Sequence, residues 1–80
     1  MSKNWRLEVV GGEGIIEFYG VNIFDYEWKS TGEKADVRDP HYGLAYSFPV
    51  YTVDIDGNEI RFAAGEFSPC VWAFYVERQP

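Results

Sequence analysis

The chain holds one histidine, His41, and one cysteine, Cys70. Together they are the only pair able to furnish a thiolate nucleophile with an imidazole base, with Asp39 as the group that would orient it. Their spacing gives this triad no support. His41 follows Pro40 in a polar stretch, and Cys70 stands between Pro69 and an apolar run. A buried or half-buried structural cysteine is the expectation. One His and one Cys also fall short of a zinc centre. No metal or other cofactor is expected, and the chain reads as non-catalytic.

Other stretches imitate ligand sites without completing them. Asp54, Asp56 and Asn58 place oxygens at alternate positions, as the start of a calcium loop does. The turn glycine, Gly57, then falls at the fourth position rather than the sixth, and the twelfth is Gly65 rather than Glu. A hairpin turn accounts for them. Gly11, Gly12 and Gly14 resemble the glycines of a phosphate cradle, but no helix follows to complete it, so a turn between strands is expected. The 13 acidic residues permit many carboxylate pairs for glycoside cleavage, and no buried context singles one out.

Recognition chemistry is better represented. Arg38, Asp39, His41 and Tyr42 cluster in a polar segment, and binding residues concentrate on loops held by a rigid scaffold. Arg and Tyr suit the centres of interfaces. The run Val71 to Val76 raises a second possibility. In a strand, Trp72, Phe74 and Val76 share one face, while Val71, Ala73 and Tyr75 share the other. The first face belongs to a core. The second needs a cover, either Tyr42, Leu44 and Tyr46 from the preceding loop or a second copy of the chain. The candidate interaction residues are therefore Arg38, His41, Tyr42, Tyr46, Val71 and Tyr75.

Composition bounds the partner. The net charge is −6 and the pI about 4.5. The densest basic region, Lys29, Lys34 and Arg38, is interrupted by Glu33, Asp36 and Asp39, so nucleic acid and anionic membrane surfaces are disfavoured. The N-terminal residues alternate apolar with charged and do not resemble a signal peptide, and no run reaches the length of a membrane helix. With a single cysteine, the expected setting is the cytoplasm.

These side chains must be positioned by strands. Eighty residues make one domain, 1–80, which buries only about 60% of its unfolded surface. Aromatic residues at 19% supply the dense packing such a small chain needs. The apolar period is two nearly throughout. Trp5, Leu7 and Val9 begin the series. Ile16 and Phe18 follow, with Gly20 as a bulge or a tight turn. Phe24, Tyr26 and Trp28 come next. Tyr51, Val53 and Ile55 are joined through Asp56-Gly57, a strong hairpin signal, to Ile60, Phe62 and Ala64. Pro49 suggests a strand start or an edge. The last strand is Val71 to Val76. Residues 30–47 break the pattern and read as one long loop, with a short helical turn conceivable from Gly32 to Val37.

The expected fold is all-β: a small antiparallel six-stranded meander curled into a barrel or compact sandwich. The expected function is protein–protein contact, as a homo-oligomer or as an acidic inhibitor or decoy for a basic surface. The alternative is a small barrel holding an apolar or aromatic ligand among Trp28, Trp72, Phe62 and Tyr26, although six strands leave an interior about filled by side chains.

Overall fold

The computed structural model describes residues 4–77. It is an all-β chain with seven strands: β1 (Trp5–Gly12), β2 (Glu17–Phe18), β3 (Val21–Asn22), β4 (Lys29–Arg38), β5 (Ala45–Ile55), β6 (Asn58–Ser68) and β7 (Val71–Glu77). Five of them form one antiparallel sheet in the order β1-β7-β6-β5-β4, and β2 pairs with β3 alone. Strands β4 to β7 are thus a meander. β1 joins it from the far end, pairing Trp5 with Glu77 and Gly12 with Val71. Gly11 and Gly12 accordingly belong to β1 and pair with β7, and only Gly14 lies in the turn that follows, which launches an excursion rather than turning β1 back on β2. No helix of the described residues is long and apolar enough to cross a membrane.

Both faces of the sheet are buried. On one lie Tyr51, Val53 and Ile55 of β5, Ile60, Phe62 and Ala64 of β6, and Trp72, Phe74 and Val76 of β7. Residues 13–28 fold over this face and place Ile16, Phe18, Ile23, Phe24 and Trp28 on it. The expected strand through Phe24, Tyr26 and Trp28 is instead a single 3₁₀ turn, Ile23–Asp25, followed by extended chain. Its rings still point inward. Asn22 staples the excursion: its side-chain oxygen accepts from the backbone N–H groups of Ile16 and Phe24, and its amide donates to the Gly14 carbonyl at 3.1 Å. The Trp28 indole donates to the Ile23 carbonyl at 2.9 Å. Buried donors and acceptors are thereby paired, as a non-repetitive segment packed on a core requires.

The opposite face is covered by the sheet itself. Residues 30–47 are not a loop: β4 occupies Lys29–Arg38 and β5 begins at Ala45. Neither is there a helical turn between Gly32 and Val37. Ala35 and Val37 of β4 and Phe48 and Val50 of β5 curl over Ala63, Ala73 and Tyr75, with Trp5 and Leu7 of β1 at the margin. Small residues make this curl possible. A methyl group on Gly65 would lie 2.4 Å from Cδ1 of Phe48, so the Phe48 ring rests directly on the glycine backbone. Pro49 marks the same event on the partner strand. β5 pairs with β6 only from Val50 onward, and earlier β5 residues pair with β4 alone. Pro49, which has no N–H to give, therefore falls where the two strands part.

Among the described residues, three turns place a residue other than glycine in left-handed backbone. Tyr19–Gly20 and Asp56–Gly57 have positive φ at both residues, as two-residue hairpin turns of the primed kind require. Gly20 is thus a turn centre and not a bulge. Asp54 accepts from the Gly57 N–H at 2.9 Å, so the first of the side chains that imitate a calcium loop serves the hairpin. Cys70 takes φ +63 after Pro69 between β6 and β7.

Candidate functional site

The turn from β4 to β5 projects the polar cluster at 38–44. Its frame is held at several points. The Asp39 N–H donates to the Leu44 carbonyl at 2.8 Å, and the Gly43 N–H to the Asp39 carbonyl at 2.7 Å. The Asp39 side chain is buried and accepts from the His41 N–H at 2.8 Å. Arg38 closes the turn from outside, donating to the Gly43 carbonyl at 2.9 Å. From below, the Tyr75 hydroxyl donates to the Arg38 carbonyl at 2.7 Å. This last bond joins β7 to the end of β4 and fixes the turn to the core. Burial and then the nearby Asp39 charge push the Tyr75 phenol up to about 12.

What this frame exposes is apolar and aromatic. Tyr42 is 75% exposed and Leu44 55%. The His41 and Tyr42 rings meet edge to face, with centroids 4.5 Å apart. Beside the turn, a shallow groove of about 380 Å³ runs between the end of β4 and the start of β1, lined by Trp5, Arg6, Leu7, Arg38 and Pro40. It lies where the two edge strands of the curled sheet come near each other.

Of the six candidate interaction residues, Arg38, His41 and Tyr42 come together on this turn. Tyr46 stands behind it, half-buried and stacked between Phe48 and Phe67 at 5.2 and 5.0 Å. Val71 is half-buried at the start of β7, beside the Pro69–Cys70 turn. Tyr75 is only 1% exposed and belongs to the core; its cover is β4 and β5 rather than Tyr42, Leu44 or a second copy. Sequence reading overlooked Trp5, Arg6 and Pro40 as neighbours of the cluster, because nothing local joins the two ends of the sheet. Leu44 did carry a signal: an apolar residue beside a turn glycine, outside any alternating run.

The remaining chemistry is dispersed. Cys70 is exposed in its turn, not buried, and its N–H donates to the Glu66 carboxylate at 3.1 Å. It lies between β6 and β7, whereas His41 lies between β4 and β5. A second surface hollow, about 250 Å³, is bordered by Glu27, Lys29, Thr52, Val53, Asp54 and Glu59. Arg61 of β6 bridges Glu77 of β7 at 2.7 Å and Glu33 of β4, and both carboxylates raise its pKa further. This triad ties β4 to β7 across the curled face. Three of the rings expected to line a ligand cavity pack on one another, Trp28 meeting Phe62 at 5.3 Å and Trp72 at 5.8 Å, and Tyr26 packs against the same cluster. Comparison of the chain with protein-family models, with curated proteins and with solved structures finds no match.

Proposed function

We propose that this chain is a non-catalytic binding module that works by protein contact, through the β4–β5 turn and the adjoining end of β1. The supporting observation is the contrast between frame and tip. Backbone and side-chain hydrogen bonds hold residues 38–44 in one shape, and that shape spends its rigidity on presenting Tyr42 and Leu44 to solvent. Pre-organised aromatic anchors lose little entropy on binding. Trp, Tyr and Arg, all present here, are the residue types that dominate interface energetics. The apolar-ligand alternative has less support, because Trp28, Trp72 and Phe62 fill one another's space.

The test compares the native chain with the double variant Tyr42→Ser, Leu44→Ser. Both residues are exposed, so the fold should be retained within about 0.5 kcal/mol for each. The self-association of the two forms is measured by sedimentation, and their cross-linked partners in the source cell are compared. A homodimer or a partner complex that disappears in the double variant supports the turn as the contact surface. Identical assembly and identical partners in both forms would remove it.

A further inference from the structure

Resting on the reading of this turn as a contact surface, we infer that the partner segment it takes is an extended acidic peptide, whose carboxylate is held by Arg38 in the groove between β1 and β4. The chain carries −6 overall, yet the residues lining this groove include two arginines and no acid. The acids next to the groove are already engaged: Asp39 is buried and accepts from the His41 N–H at 2.8 Å, and Glu77, the register partner of Trp5, is bridged by Arg61 at 2.7 Å. Arg6 is engaged by Glu8 at 2.6 Å. Arg38 is exposed, and its guanidinium makes one hydrogen bond among the described residues, to the Gly43 carbonyl. A guanidinium has five N–H donors in a planar fork matched to a carboxylate. The bond to Gly43 holds that fork in place and leaves most of its donors for a ligand.

The rest of the groove suits an extended chain. Trp5, Leu7 and Pro40 give it apolar walls beside the charges. A strand-like peptide sends alternate side chains in opposite directions, so an acidic residue can meet Arg38 while its apolar neighbours meet Trp5 or the exposed Tyr42.

The experiment is a fluorescence anisotropy titration of the whole chain with a labelled peptide of alternating valine and glutamate, and with its valine–lysine counterpart. The glutamate peptide should bind at least about tenfold more tightly, weaken with added salt, and lose about tenfold or more on Arg38→Gln, as expected for one charge-assisted hydrogen-bonded contact. Arg38→Lys should restore only part of the affinity, because an ammonium lacks the fork. Equal binding of the two peptides, no binding of the glutamate peptide, or an unchanged affinity in Arg38→Gln would each overturn the inference. Full displacement by millimolar inorganic phosphate would do so too, by showing a general anion site. Loss of partners in the Tyr42, Leu44 double variant without any glutamate-peptide binding would sink this inference alone and leave the contact surface standing.

Discussion

Tyr75 joins the core to the exposed turn, and its removal can be followed quantitatively. Tyr75→Phe keeps the ring but deletes the hydroxyl that donates to the Arg38 carbonyl at 2.7 Å. The lost bond should cost about 1 kcal/mol near neutral pH, a fall in Tm of about 4–8 °C for a domain this small. At high pH the sign reverses. In the folded chain the phenol is raised from 10.0 to about 12, because burial and then Asp39 disfavour phenolate. A raised folded pKa means that the native state holds a proton the unfolded chain has released. The associated stability is whole below pH 10 and drains away between pH 10 and 12. Its full size is about 2–3 kcal/mol, and roughly half has gone by pH ~11. Tyr75→Phe has no such proton to lose. Urea titrations of both forms from pH 8 to 11.5 should show the variant less stable at first and the curves crossing near pH ~11. A constant gap across that range would mean that the Tyr75 hydroxyl titrates alike in the folded and unfolded chains, and the account of how the turn is anchored would fail.

Two further expectations concern the scaffold. Gly65→Ala drives a methyl group toward the Phe48 ring, 2.4 Å from its nearest atom, so equilibrium unfolding should show a loss of about 1–3 kcal/mol; an unchanged midpoint would mean the ring is free to withdraw. Asn22→Ala removes the bonds to Ile16, Phe24 and Gly14 together, at a cost of about 1–2 kcal/mol, and should speed amide exchange at Ile16 and Phe24; unchanged exchange at those two amides would count against the staple.

Most inward-facing residues could be read from alternation, and the errors fall where alternation is silent. Trp5, Leu7 and Val9 look like one face of one strand. Yet Leu7 sits opposite Tyr75 and Val9 opposite Phe74, because Glu8 is an extra residue in the ladder. Tyr75 and Phe74 belong to opposite cores, so the bulge hands β1 from one face of the sheet to the other without disturbing its period. β4 was hidden for a different reason. As an edge strand it carries Lys34, Asp36 and Arg38 outward and buries only Ala35 and Val37. Charge on an edge protects against pairing with another chain, and here it imitates a solvated loop. Of the proposed contact surface, Arg38, His41 and Tyr42 were legible because they are neighbours in the chain. Trp5 and Arg6 were not, since only the β1–β7 pairing and the curl bring them there.

Filling both faces of so short a sheet has a consequence for where recognition can reside. The aromatic core beneath residues 13–28 is sealed by rings packed 5–6 Å apart, and the curled face is closed by Tyr75 at one point and the Arg61 triad at another. Replacing such side chains to open a cavity would cost about 3–5 kcal/mol for each large aromatic, a large share of what an 80-residue domain commonly has in total. The turns carry no such cost, because their side chains contribute little to either core. Among them the β4–β5 turn is distinguished by being anchored from beneath: the Tyr75 hydroxyl reaches the carbonyl of Arg38 itself, so the residue whose guanidinium borders the groove is held by the core at its backbone. Rigidity is supplied from inside and chemical variety from outside, which lets Tyr42, Leu44 and the Arg38 side chain be selected for a partner with little effect on the fold.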